Sequence, residues 1–474
     1  MACLDAVNLA IQMQGLDDES LSVLKTTLFD YALQAYGPAA NSQQVDPGYL
    51  QNKLCQTFTY LFVSLYKGPW AGFVDDVWRL TISGDGTPGQ NLTGVVFYLR
   101  VLSSVHDEIA DMLISRSNSE AKRNVEIKDQ VRGQDMVKIA DSWNLLLSIY
   151  CGQNEYVTEQ VLKLIAKWVS WMDISLIVNE QMMTFLLPLV GRTSTNANGQ
   201  ADKVRDAAVD ALSEITGKKM KLPDKMQLIS LLNLREIVKE LVESNALKGL
   251  RGSPEYDTDL AEAVAKLVST VILAVMHVLE DPEPLYGDKE LLASADKHLQ
   301  DFFPFLLRFF SDEYDEVCAT VIDGVTNVLT VFRKLSSSNN LPHAYFDMLP
   351  SILDAIIMKM KFDDTASWGN SDEQTDEAEF HELRKRLANL QKTIAQINKD
   401  LFVEALSTLA GNIFQRFGQE GAGMHWQDLD LALHEMYLYG EVVLPKDGFA
   451  SKTFQVTAAA ERLVLMVKNM VESG

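Results

Sequence analysis

The sequence predicts an all-α protein, a superhelical solenoid of antiparallel helix pairs, and three observations carry that expectation. Apolar residues recur at helical spacing along most of the 474 residues. In "QVLKLIAKWVSWM", Val161, Leu164, Ile165, Trp168 and Met172 share one face, while Lys163, Lys167 and Ser170 take the other. Turn-rich breaks such as "YGPAANSQQVDPG", "SGDGTPGQN", "GRTSTNANGQ", "GLRGSPEYD" and "EDPEPLYGD" punctuate these segments. Strand-like alternation is nearly absent; "GVVFYLRVL" (94–102) has a β-like composition but helical neighbours. Helix pairs tens of residues long, with no strict short motif, fit a HEAT-like or armadillo-like stack better than a single bundle.

In chain order, the periodicity predicts helices at 17–36, 48–66, 69–82, 119–150, 156–172, 201–216, 255–280 and 288–310. Further helices are expected at 313–335, 341–361, 376–399, 400–417 and 426–441. After Met172, Asp173 is placed to cap a new helix, "ISLIVNEQMMTFLL", which Pro188 should stop. The result is a helix, a sharp corner and a second helix. Trp168 and Trp171 are expected to wedge the two together, because each ring buries a large area in a helix seam.

The totals narrow the function. A hydrophobic share of 47% is enough for an ordinary packed core. The net charge of −23 argues against a simple basic nucleic-acid binder, though a basic strip on an acidic body remains open. Cys3, Cys55, Cys151 and Cys318 form no CxxC, so neither a zinc site nor a disulfide framework is expected. "MACLDAVNLAIQM" lacks the basic start of a signal peptide, and Val264 to Leu279, interrupted by Lys266, Ser269, Thr270 and His277, reads as a buried helix rather than a membrane span. "NLT" (91–93) matches a glycosylation acceptor, which has no bearing without secretion.

The chemistry-bearing motifs are few. "GDGTPG" (84–89) is a literal GxGxxG, but the segment before it is helical, so an inter-helix turn explains it. The seven histidines show no HxxxH pair, and no nucleophile, base and orienting group can be assembled. No enzyme, metal site or cofactor is expected. Residues 362–379 carry seven acids and no base: Asp363, Asp364, Asp372, Glu373, Asp376, Glu377 and Glu379. They read as a solvated loop or as a contact for a basic partner. Basic residues cluster as Lys122, Arg123, Lys128 and Arg132, as Lys218, Lys219, Lys221 and Lys225, and as Arg384, Lys385 and Arg386. Singly these are exposed faces; aligned on one side of a solenoid they would track phosphates.

Four stretches go further: "SEAKRNVEIKDQVR" (119–132), "VSWMDISLIVNE" (169–180), "PDKMQLISLL" (223–232) and "FDDTASWGNSDEQTDEAEFHELRKRLANL" (362–390). They resemble the exportin-T family, the tRNA export receptors among the importin-β (karyopherin) proteins. "SWMDISLIVNE" is the most specific of them, and the resemblance spreads over nearly the whole chain. Family members are roughly twice as long, so the chain reads as a fragment or truncated gene product that begins about one helix pair late. The resemblance implies residues 1–361 as an N-terminal HEAT arch, 362–379 as an acidic inter-helix loop and 380–474 as further repeats. It implies tRNA, Ran in its GTP form and FG-repeat proteins of the nuclear pore as partners, with shuttling between nucleus and cytoplasm. No membrane and no small-molecule substrate is implied. Lys122, Arg123, Lys128 and Arg132 become the first RNA or Ran contacts, then Lys218, Lys219 and Lys221; the acids of 363–379 become Ran-facing. A karyopherin for protein cargo and a HEAT scaffold unrelated to transport are the competing readings.

Overall fold

The structure, a computed structural model, describes residues 2–38, 46–192, 202–248, 256–280, 289–363, 374–444 and 457–473. Among these residues there are helices and turns and no strand. The chain divides into two compact units, Met1–Met220 and Lys221–Gly474.

The first unit contains α1 (Ala2–Gln12), α2 (Asp18–Tyr36), α3 (Gly48–Leu65), α4 (Phe73–Arg79) and α5 (Leu92–Ile109). It continues with α6 (Asn118–Gln134), α7 (Met136–Tyr150), α8 (Glu155–Trp168), α9 (Glu180–Val190) and α10 (Lys203–Gly217). Within it α3 packs on α5, α5 on α8 and α8 on α10, so these helices form a continuous row. The second unit opens with α11 (Leu222–Leu231), α12 (Leu234–Glu243), α13 (Asn245–Lys248), α14 (Thr258–Glu280) and α15 (Lys289–Phe310). Then follow α16 (Asp315–Ser337), α17 (His343–Phe346), α18 (Leu349–Lys359), α19 (Gln374–Ile397), α20 (Lys399–Glu420), α21 (Trp426–Val443) and α22 (Ala458–Ser473). There α14 packs on α15 and α16, α16 on α19, α19 on α20, and α20 on α21 and α22. The apolar helix α14 has the length and composition of a membrane span, yet it is lined with buried residues from Leu260 to Leu279 against its neighbours.

The all-α helix-pair class stands as expected, with local corrections. "GVVFYLRVL" lies inside α5, where Val95, Phe97, Tyr98, Leu99, Val101 and Leu102 are buried. A helix buried around most of its circumference shows no clean apolar stripe, which is why its period was hidden. The helix expected at 119–150 is two helices that break at Asp135 (φ −121°). Asp135 is buried, accepts a hydrogen bond from the Tyr66 hydroxyl at 2.6 Å and pairs with Lys138 at 3.1 Å. A carboxylate so held cannot point outward as a continuing helix would require. Asp173 caps only a single 3-10 turn, Ile174–Leu176; α9 begins later, capped by Asn179. Pro188 lies inside α9 near its end, where it forfeits one hydrogen bond, rather than stopping it.

"GDGTPG" is the connection between α4 and α5. Gly86 (φ +89°) and Gly89 (φ +76°) supply the left-handed conformations, and Ser83 receives the turn back through a bond to the Thr87 carbonyl at 2.9 Å. Just beyond, a Cβ on Gly94 would stand 1.9 Å from the Leu80 carbonyl oxygen. Gly94→Ala must therefore push α5 off the end of α4. A loss of about 1–3 kcal/mol in unfolding free energy is expected, read by denaturant titration. A change within experimental error would show that the approach is not tight.

Candidate functional site

The corner that follows α8 is built on tryptophan. Trp168 is 1% exposed and Trp171 8% exposed, and their rings stack at 4.8 Å. Trp143 of α7 meets Trp168 edge-on at 6.0 Å, and His106 of α5 lies at the same distance on another side. The two rings thus pack at the meeting of α5, α7 and α8, a packing role, but between other helices than the consecutive pair that the sequence suggested.

At this corner the backbone carbonyls of the helix end need donors, and the helix dipole places partial negative charge there. Two cations answer. Arg132 of α6 donates from Nε to the Trp171 carbonyl at 2.9 Å and lies over the Trp171 ring at 5.7 Å. Lys218, just past α10, donates to the carbonyls of Val169 at 2.8 Å and Ser170 at 3.2 Å. Two elements therefore bring positive charge to the stretch "VSW".

Lys128 lies one helical turn before Arg132, half-buried, with no hydrogen bond or ion pair among the described residues. Burial pushes its ammonium below the usual lysine range, and the like charges of Arg132 and Arg116 push it further, against a smaller pull from Asp129. Lys218 is lowered by burial first and by Arg132 second, with Asp173 opposing. Burial is the larger cause of both shifts, and neighbouring positive groups add to it. Arg116 was not visible as a candidate: it stands alone in "LISRSNSE", outside any basic run. Its guanidinium holds the α5–α6 connection by donating to the carbonyls of Asp107, Asp111 and Ile114.

The other expected contacts fall elsewhere. Arg123 is half-buried, paired with Glu108 at 3.3 Å and bonded to Asn124, so its charge is largely spent inside the protein. Lys122 is exposed on α6. Lys219 and Lys221 are exposed on the connection between α10 and α11, where the two units meet in sequence.

In the second unit, the ends of the acidic stretch are held together. Phe362 and Phe380 have ring centroids 4.6 Å apart, and Trp426 covers Phe362 at 5.2 Å. Arg384 lies over both phenyl rings at 4.5 and 5.1 Å. The same guanidinium donates to the Met360 carbonyl at 2.7 Å and to Asp430 at 2.5 Å. Arg384 is thus a buried structural group rather than part of an exposed basic face. The stretch is not loop throughout: α19 begins at Gln374, so Asp376, Glu377 and Glu379 lie on a helix. Glu377 faces His381 at 3.6 Å and Glu379 is exposed. The Asp363 carbonyl accepts from Gln427 at 3.3 Å. Asp364, Asp372 and Glu373 lie outside the described residues, as does the side chain of Asp376.

The class that the structure defines is an all-α stack of helix pairs, acidic overall and with two cations on one inter-helix corner. Importin13 in its cytosolic state superposes on 94% of this chain and 51% of its own, with a TM-score of 0.61 at 12% identity, a likeness of fold alone. Residues 47–212 match the family "Exportin 1-like protein" and residues 289–474 match the family "Exportin-T". The exportin-T of Chaetomium globosum is 52% identical over 474 residues, the whole of this chain and 45% of that relative. The exportin-T of Podospora anserina is 52% identical over 475 residues, again 45% of its length. That of Aspergillus clavatus is 45% identical over 473 residues. The chain belongs to the exportin-T family, and it spans about half the length of the curated relatives it matches.

Proposed function

We propose that this chain is part of a nuclear export receptor that binds tRNA cooperatively with Ran-GTP, crosses the nuclear pore on FG-repeat proteins and releases its cargo when Ran hydrolyses GTP in the cytoplasm. It acts by binding, and the hydrolysis belongs to Ran. The observation that carries this reading is the pair of cations on the tryptophan corner, Arg132 and Lys218, with Lys128 one helical turn from Arg132, in a protein whose net charge is −23. A-form stems present phosphates and 2′-hydroxyls rather than readable base edges, so a local cationic surface suits them. The excess negative charge elsewhere suppresses indiscriminate RNA binding. Lys122, Lys219 and Lys221 add exposed positive charge, and the acids from Asp363 to Glu379 supply a surface for the basic side of Ran.

Coupling between the two ligands is reciprocal: each raises affinity for the other by the same factor. Gel shift of tRNA on this chain, with and without Ran locked in its GTP form, tests the proposal beside a full-length relative. Stronger tRNA retention with Ran-GTP on both proteins is the expected result. A response from the full-length relative alone would place the coupling outside this chain. Binding of a nuclear-signal peptide but not of tRNA would replace the reading with a protein-cargo karyopherin.

A further inference from the structure

Glu435 and Gln391 face each other across the packing of α21 on α19, and both are fully buried, at 0% exposure. Gln391 Nε2 donates to Glu435 Oε2 at 2.7 Å. The remaining oxygens of the same two side chains, Glu435 Oε1 and Gln391 Oε1, are buried with no hydrogen-bond partner among the described residues. Two orphaned acceptors on one facing pair form an unstable arrangement, since each would forfeit its hydration for nothing. A single proton removes both defects. On Oε1 it makes the carboxyl a donor to the Gln391 carbonyl, leaving the existing amide bond in place. We propose that Glu435 is a neutral carboxylic acid in the folded protein and closes a cyclic acid–amide clasp with Gln391, a pH-sensitive latch between α19 and α21.

The surrounding charges do not supply an alternative. On α19, Arg384 favours the ionised form but is already engaged by Asp430 and the Met360 carbonyl, while Lys392 pairs with Glu441 at 2.7 Å. On α20, Arg416 pairs with Glu420 and Asp428, and Glu404 pairs with Arg462 of α22; Lys399 and Asp400 are exposed. On α22, Lys468 pairs with Glu472, and Glu461 is exposed. On α21 itself His434 is half-buried, and burial, then Arg384, holds it below the usual imidazole range, so it adds little positive charge. Burial accordingly lifts Glu435 to about 7, against the pull of Gln391 and Arg384. An acid raised in the folded state contributes its stability fully below its unfolded value of 4.5 and loses it as pH rises toward 7. The latch is therefore closed in mild acid and opens near neutrality, the proton passing to solvent. Arg384, which anchors the ends of the acidic stretch, lies on the same interface.

Glu435→Gln keeps a donor and an acceptor in the same place and cannot ionise. Thermal midpoints of the wild-type chain and E435Q, compared from about pH 5 to about pH 8, should diverge by on the order of 5 °C or more in favour of the variant at the higher pH. Hydrogen exchange on the wild-type chain, corrected for intrinsic rate, should show α19 and α21 losing protection over that range relative to α14 and α16. A constant difference in midpoint, or protection that falls equally in all four helices, would overturn the latch. Should E435Q fail to fold, the exchange measurement decides alone.

Discussion

RNA binding by this chain is expected to collapse with salt, and Lys128 is expected to account for part of that dependence. A protein making about 6–10 phosphate contacts loses on the order of a thousandfold or more in affinity between about 50 and about 200 mM salt. Lys128 is the informative position because it has no partner to lose: no hydrogen bond or ion pair among the described residues ties it down. Lys128→Glu should weaken binding and lower the slope of log affinity against log salt by about 1, the mark of one lost phosphate contact. Arg132 and Lys218 are poorer probes, because each also caps carbonyls at the end of α8, so replacing either would disturb the corner. The measurement is a salt titration of tRNA affinity for wild type and variant. A flat salt response would remove the phosphate surface altogether. An unchanged slope for the variant would move the contacts elsewhere, with the exposed Lys122, Lys219 and Lys221 next to test.

Trp168→Ala should cost about 3–5 kcal/mol of unfolding free energy, the range for removing a large buried aromatic. Trp168 is 1% exposed and touches Trp143, Trp171 and His106, so its loss opens a void that four elements would have to collapse to fill. Because the chain has two compact units, the transition of the first must be followed separately, and tryptophan fluorescence serves: Trp70, Trp78, Trp143, Trp168 and Trp171 all lie there. The expected result is an early transition in the first unit with the second little changed. A loss below about 1 kcal/mol would mean that the corner is held by Arg132 and Lys218 rather than by the rings.

The two predictions bear on one corner from opposite sides. The rings set its position, and the cations satisfy the carbonyls that the corner leaves open. Positive charge is collected there for a structural reason, the capping of those carbonyls.

The sequence by itself determined the helical class, the tryptophan corner and the membership of the basic runs, because these rest on local spacing. Apolar residues at helical intervals force an amphipathic face whatever lies across from it, and "SWMDISLIVNE" marks the corner in one dimension. Its local signals misled where burial changes the pattern. Helix α5 is buried nearly all round and reads like a strand. The break at Asp135 depends on Tyr66, 69 residues away. Which cations remain available could be decided only by tertiary structure: Arg123 and Arg132 sit in the same basic run as Lys128, yet Glu108 takes one, Asp129 and a carbonyl take the other, and Lys128 is left without a hydrogen-bond or ion-pair partner among the described residues. Arg116 holds the α5–α6 connection from a loop with no pattern, and Glu435 meets Gln391 from a helix 44 residues on. Charge is a property of the residue, but its compensation is a property of its neighbours, and packing alone chooses those.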